Sequence, residues 1–222
     1  MIEARYCPLF GRRATLHSQP ETEQDAWVLK TLDGKENGTF LEIGAFDGVY
    51  HSNTLCLERD FGWTGWLVES DPAHAAAAAR VRRAKVLNYT ISPASQREQF
   101  FVARQWGGLV NYTRSNLLTN HIIHNSPIIT RPTIDLFNVL RSEALPPVID
   151  YLSIDVEGAE YPILKSYFAH KPPIQFRCMT IEVGIYADDV PKLCELLDPL
   201  GYRLENVRAW DAYFIHRELC SA

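Results

Sequence analysis

From Phe40 to Thr54 the chain reads FLEIGAFDGVYHSNT: an apolar run broken only by Glu42, two glycines spaced G-x-x-x-G, and a polar stretch. Phe40 to Ile43 suits a strand buried on both faces, the condition of a parallel strand in an α/β sheet. Gly44 and Gly48 admit backbone geometries and close approaches that a Cβ blocks, and Ser52 or Asn53 can cap a helix that follows. The glycine spacing matches neither the G-x-G-x-x-G of a dinucleotide site nor the G-K-[ST] of a phosphate loop. Glu42 and Asp47 flank the turn with no lysine to offset them, so a cationic or hydroxyl-rich ligand suits it better than a phosphate. An ordinary strand-to-helix turn has the same local pattern, and the other strand ends must decide between the two.

Those ends are polar in a consistent way. Trp66 to Val68 stops at Glu69, Ser70, Asp71 and Pro72, which places a carboxylate at the carboxyl edge of a second strand. That edge is where ligands bind in open α/β sheets, and an ionised acid there makes strong hydrogen bonds to vicinal ribose hydroxyls. Glu69 is the candidate. A third run, Lys85 to Ile91, ends at Ser92 and Pro93, where a small polar residue can meet the edge of an adenine. A fourth, Ile149 to Ile154, ends in Asp155, Val156, Glu157, Gly158, Ala159 and Glu160. A fifth, Cys178 to Val183, embeds Glu182 among apolar neighbours, and a buried acid needs a partner.

Helical segments separate these runs: Glu23 to Leu32, a helix carrying Leu55 and Leu57 and stopped by Gly62, the alanine run Ala73 to Val81, a helix from Thr133 or Asp135 to about Ala144, Ala159 to Phe168, and Val190 to Leu197. Tyr202 to Val207 and Ala212 to His216 read as a closing hairpin, and Gln99 to Ala103 as a short extra strand. The alternation predicts a doubly wound, mostly parallel seven-stranded sheet with a C-terminal antiparallel hairpin. Residues 1–20 show no sustained period and read as an N-terminal arm or lid, with 21–222 as a single domain.

Composition agrees. A chain of 222 residues that is 46% hydrophobic supports one α/β domain, and a net charge of -5 gives no general nucleic-acid footprint. Arg80, Arg82, Arg83 and Lys85 form a basic cluster that reads as a solvated helix end. Five cysteines, Cys7, Cys56, Cys178, Cys194 and Cys220, show no C-x-x-C spacing, so reduced thiols are expected. The amino terminus has no apolar core of signal-peptide length and no stretch approaches a membrane span, which points to a cytoplasmic enzyme. N-x-[ST] sequons at Asn37, Asn88 and Asn111 read as chance, Asn88 falling in an expected buried strand.

Taken together, these residues resemble the FkbM-type methyltransferases, S-adenosylmethionine-dependent enzymes with a Rossmann-like class I methyltransferase fold. The likeness is carried by FLEIGAFDGVYHSNT (40 to 54), GWTGWLVESDP (62 to 72) and DYLSIDVEGAEYPILKS (150 to 166). Gln24 and Asp25 ahead of the first strand, and Thr133, Ile134, Asp135 and Leu136 leading into the fourth, belong to it as well. It extends from about Gln24 to near Phe214 and leaves Phe100 to Arg131 unmatched.

The resemblance implies S-adenosylmethionine as cofactor, contacted by Glu42, Gly44, Ala45, Phe46, Asp47, Gly48, Ser52, Asn53, Glu69, Ser70, Ile91, Ser92 and Asp155, with the methionine portion in the space beside Gly44. It implies methyl transfer to a hydroxyl of a small metabolite, polyketide or sugar. Asp155, Glu157 and Glu182 are placed to take the acceptor's proton directly, or through a divalent metal they would share, and His51 stands beside the cofactor loop. His121 and His124 make an H-x-x-H without a third ligand, a weak metal or base signal. Trp106 to Asn125, with Trp106, Gly107, Gly108, Asn111, Tyr112, Arg114 and Asn116, is the expected acceptor wall. Two alternatives stay open: a degenerate methyltransferase scaffold acting as a binding module, and a nucleotide-sugar or NAD enzyme on a similar sheet. The oligomeric state is not written in these motifs.

Overall fold

The computed structural model describes residues 5–9, 12–18, 22–103, 106–113, 117–143, 145–172, 174–184 and 187–220. Its first half runs β1 (Arg5–Leu9), β2 (Arg12–Leu16), α1 (Gln24–Thr31), β3 (Thr39–Ile43), α2 (Leu55–Phe61), β4 (Thr64–Val68), α3 (Pro72–Val81), β5 (Lys85–Leu87) and β6 (Ile91–Ser92). There follow β7 (Arg97–Phe101), β8 (Gly108–Leu109), α4 (Leu117–His124), β9 (Ile128–Pro132), β10 (Ile134–Asp135) and α5 (Leu136–Ser142). The chain ends with β11 (Val148–Ile154), α6 (Glu160–Ala169), β12 (Gln175–Glu182), α7 (Val190–Leu197), β13 (Tyr202–Arg208) and β14 (Asp211–His216).

Seven strands form the main sheet in the order β13-β14-β12-β11-β3-β4-β5. From β12 to β5 neighbours are parallel, and the terminal hairpin adds the antiparallel edge, as the alternation predicts. The chain leaves β3 in one direction across the sheet and returns to β11 on its other side, so the carboxyl ends of β3, β4 and β11 meet at the reversal point. Successive residues of these strands serve opposite layers. Leu41, Ile43, Leu152 and Ile154 pack into one buried cluster with α5 and α6 residues, whereas Phe40, Leu67 and Tyr151 pack into another with α1 and α2 residues.

Local chemistry sets several boundaries. Asp71 caps α3 by accepting from the Ala73 and His74 N–H groups (2.8 and 3.2 Å), with Pro72 at the first helical position. Asp135 caps α5 through the Asn138 N–H (2.9 Å). Gly62 ends α2 in the left-handed conformation, φ 71°.

The structure corrects four expectations. The run from Lys85 to Ile91 is two strands: β5 stops at Leu87, and β6 turns away to pair with β10. Asn88 lies exposed between them and donates to the Glu69 carbonyl (2.8 Å), so it is not in a buried strand. The short extra strand expected at Gln99 to Ala103 is present as β7, which starts two residues earlier and forms the centre of a three-stranded antiparallel sheet with β8 and β9. Arg82 is not on a solvated face, because its guanidinium is fully buried. Finally, the aperiodic N-terminal segment contains a hairpin, β1 with β2, whose Ala14 and Leu16 join the core. The Thr15 N–H donates to Asp60 of α2 (2.7 Å) and that of His17 to the buried Asp25 (2.7 Å). Residues 1–4, 10, 11 and 19–21 lie outside the described part.

Candidate active site

A cavity of about 210 Å³ opens at the joined carboxyl ends of β3, β4 and β11. The β3 loop supplies Glu42, Gly44, Ala45, Phe46, Tyr50, His51 and Asn53, and β4 supplies Val68, Glu69, Ser70 and Asp71. Tyr89, Thr90 and Ile91 close one side, Ser153, Asp155, Val156 and Glu157 form the β11 side, and Phe100, Val102, Ala103, Trp106, Gly107 and Leu109 come from the accessory sheet.

The loop is held by its own backbone and by carboxylates. The Gly44 N–H donates to the Val68 carbonyl (2.9 Å) and the Asp155 N–H to the Ile43 carbonyl (3.0 Å), which joins three strand ends. Gly44 has φ +92°, and a Cβ built there overlaps the Asp155 carbonyl oxygen. The glycine is therefore required by the approach of two protein backbones, which corrects the expectation that a ligand fills that space. Phe46, His51 and Glu157 also hold left-handed conformations (φ 47°, 54° and 63°), and all three line the cavity. Such backbone strain gathers at functional sites.

Glu42 is buried, and its oxygens accept from the Ser52 hydroxyl (3.1 Å), the Asn53 N–H (2.9 Å) and the Thr54 hydroxyl. It braces the loop from below. Asn53 continues the network, its side-chain amide donating to Ser153 (2.9 Å). Asp47 accepts from the Val49 and Tyr50 N–H groups (2.9 and 2.7 Å) and shapes the turn instead of lining the cavity. Gly48 and Ser52 likewise lie behind the lining. Ser52 accepts from the N–H groups of Thr54 and Leu55 (3.3 and 3.2 Å) just ahead of α2, but the N-cap position is Thr54, which makes no side-chain cap bond, so neither Ser52 nor Asn53 is the cap the sequence suggests.

Glu69 stands where the sequence places it, at the carboxyl end of β4. It accepts from the N–H groups of Phe46 (2.8 Å) and Asp71 (2.7 Å) and from the Ser70 hydroxyl (3.4 Å). Burial pushes its carboxyl above the ordinary glutamate range, against the pull of the Asp71 and Phe46 N–H groups. At Asp71 burial also acts upward, but the Ala73 and His74 N–H groups, His74 and Arg131 outweigh it and hold the acid low.

Of the residues expected near a base, Ile91 lines the cavity and Ser92 does not: its hydroxyl is buried against Glu98. Tyr89 and Thr90 take that side instead. They escaped the sequence reading because the strand was expected to continue through them. Asp155 and Glu157 both line the cavity, half-buried, while Glu182 lies outside the lining at the end of β12. A carboxylate trio does form, with different membership: oxygens of Asp155, Glu160 and Glu182 lie within 4.8 Å of one another. Glu160, at the first position of α6, also accepts from the N–H groups of Val156 (2.8 Å) and Gly158 (3.1 Å). The backbone at Glu157 and Gly158 turns left-handed, and Glu160 takes the trio position expected of Glu157.

His51 lines the cavity, its ring 4.0 Å from that of Tyr50. His121 and His124 sit exposed on α4, outside the lining. Trp106 and Gly107 belong to the expected acceptor wall; Arg114 and Asn116 lie outside the described residues. Tyr50, Tyr89 and Trp106 stay 39%, 41% and 51% exposed, three aromatic faces open to solvent at one cavity. No lone sequence motif announced this grouping.

A mostly parallel sheet with this strand order and an acid-rich cavity at its reversal point defines the class I S-adenosylmethionine-dependent methyltransferase fold. The family model for the methyltransferase FkbM domain matches residues 42–204, and the chain belongs to that family, with S-adenosylmethionine as its cofactor. No curated protein matches the sequence.

Among solved structures, the METTL16 methyltransferase domain is similar at 14% identity and a TM-score of 0.51, covering 87% of this chain and 66% of that one. A precorrin-6y C5,15-methyltransferase from Geobacter metallireducens has 11% identity, TM-score 0.47 and coverage of 86% and 85%. TYW2 of M. jannaschii in complex with AdoMet has 14% identity, TM-score 0.40 and coverage of 96% and 86%. Among the described residues no helix is long and apolar enough to cross a membrane.

Proposed function

We propose that this methyltransferase methylates a hydroxyl oxygen of a small, uncharged metabolite such as a sugar or a polyketide. The observation that carries this reading is the charge of the cavity. Glu42, Glu69, Asp71, Asp155 and Glu157 line it, with no lysine or arginine among the described lining residues. A phosphate backbone is held by cations, and an acidic wall repels it. Hydroxyl groups, by contrast, donate to carboxylates, and aromatic faces such as Trp106 pack against rings.

The residues at the site fit the cofactor by the same chemistry. When bound, S-adenosylmethionine supplies an electrophilic methyl carbon on a sulfonium. Glu69 offers its remaining lone pairs to ribose hydroxyls, and the backbone from Gly44 to Phe46 lines the space next to it. Tyr89, Thr90 and Ile91 form the side suited to the base. Asp155 and Glu157 face the acceptor side, where an ionised carboxylate accepts the hydroxyl proton, and His51 borders the same space. Orientation of the acceptor oxygen by the Phe100 to Leu109 wall, with exclusion of water, supplies much of the remaining rate.

Asp155, Glu160 and Glu182 offer hard oxygen ligands suited to a divalent cation, an addition to this reading that chelation tests. The reading takes residues 21–222 as one catalytic domain, with the β1–β2 hairpin packed into its core through Ala14 and Leu16, and the compartment as cytoplasmic, where the free thiols of Cys56, Cys178, Cys194 and Cys220 stay reduced.

Isothermal titration with S-adenosylmethionine, S-adenosylhomocysteine, NAD and a nucleotide sugar, followed by methyl-labelling of neutral glycosides, polyketide alcohols and RNA oligonucleotides, tests the proposal. Label on a neutral hydroxyl supports it; label on RNA alone, or on nitrogen, overturns it.

A further inference from the structure

We infer that Arg82 is a positioning residue for cofactor binding: a buried guanidinium that fixes the shape of the β3 loop without touching the ligand. Arg82 follows the last turn of α3, and its side chain is fully buried. It donates to the Gly48 carbonyl (3.0 Å), the Ser52 hydroxyl (3.0 Å) and the Thr54 hydroxyl (2.8 Å). Its charge faces Glu42 at 3.7 Å and Glu58 at 3.3 Å, and it lies over the Phe40 ring at 5.6 Å. None of the cavity lining is Arg82 itself.

A buried ion pair is a poor way to stabilise a fold, since a well-packed apolar replacement often does as well. What a guanidinium adds is geometry. Its planar fork of donors reaches one carbonyl and two hydroxyls at fixed angles, which an ammonium cannot copy. The three acceptors span Gly48 to Thr54, the segment that follows the strained Phe46 and contains the strained His51. Thr54 and Ser52 also donate to Glu42, whose other oxygen takes the Asn53 N–H, so one cation and one anion clamp the same turn from two sides. A loop held in this way loses less conformational freedom when ligand binds. The inference rests on cofactor binding at this loop.

The test measures S-adenosylhomocysteine affinity and amide hydrogen exchange in wild type and Arg82→Lys, well below the melting temperature of each. The expected result is at least about a tenfold rise in Kd for Arg82→Lys. Exchange from Gly48 to Thr54 should be faster in the ligand-free variant and return toward wild-type protection at saturation. A purely structural role would lower the melting temperature while leaving the Kd of the folded protein unchanged, and that outcome overturns the inference. If Arg82→Lys does not fold, Thr54→Val removes one acceptor from the clamp; a Kd at least about threefold higher supports the inference and an unchanged Kd overturns it. Should wild type itself fail to bind S-adenosylhomocysteine, the cofactor reading of the loop falls, a result distinct from normal binding by the variants.

Discussion

The main-chain N–H of Phe46 donates to the carboxylate of Glu69 across 2.8 Å, tying the loop after β3 to the end of β4. The acid suited to the ribose is thus also a strut between two strand ends. Its replacement acts on ligand and loop together, and the two effects separate by pH and by the choice of substitution.

Glu69→Ala is expected to weaken S-adenosylhomocysteine binding by about 1.5 to 3 kcal/mol, the range for a hydrogen bond to a charged group. Burial raises the folded-state pKa of Glu69, so its contribution to stability is complete below the unfolded pKa and is lost as pH rises through the folded one. Cofactor affinity runs the other way. It should rise as pH climbs through that raised pKa, because the ionised form is the better acceptor. Titration calorimetry across pH should show this step above the ordinary glutamate range in wild type and a flat profile in Glu69→Gln. A step that persists in Glu69→Gln would assign it to another group.

Gly44→Ala is expected to destabilise the fold by about 2 to 4 kcal/mol, combining a left-handed backbone with a Cβ that meets the Asp155 carbonyl. Urea unfolding checks it. A variant that unfolds at the wild-type urea concentration yet no longer binds S-adenosylhomocysteine would mean that the Cβ meets the ligand instead.

Asp155→Asn keeps size and removes charge. Turnover with a hydroxyl acceptor is expected to fall at least about a hundredfold, the lower end for positioned general-base catalysis, with less than about a tenfold change in cofactor Kd. Near-normal turnover would remove Asp155 from the proton-transfer role. Loss of wild-type activity on chelation, restored by magnesium or manganese, would bring in a cation at Asp155, Glu160 and Glu182; indifference would leave direct proton abstraction.

Leu16→Ala tests whether the N-terminal hairpin is part of the core. Leu16 is 4% exposed, and its truncation is expected to cost about 2 to 5 kcal/mol in denaturant unfolding, as for other buried leucines. A cost below about 0.5 kcal/mol, the range of surface changes, would show a hairpin that only rests on the domain.

The strands and their ligand-facing ends were legible in the sequence because a parallel strand buried on both faces is a contiguous apolar run that stops where polarity returns. Glu69 and Asp155 could be placed on the carboxyl edge from that rule alone. Asp71 and Asp135 as caps and Gly62 as a helix stop follow from equally local chemistry. The accessory sheet was not legible. Gly108 and Leu109 carry no strand signal of their own, and β7 with β9 pairs residues as far apart as Arg97 and Pro132. The partners of Arg82 and Glu42, the turn of β6 toward β10, and the presence of Glu160 in the carboxylate trio were decided in the same way. Each depends on which groups the packed elements bring to one place, and a buried charge takes its partner from whatever stands across the interface, however distant in the chain.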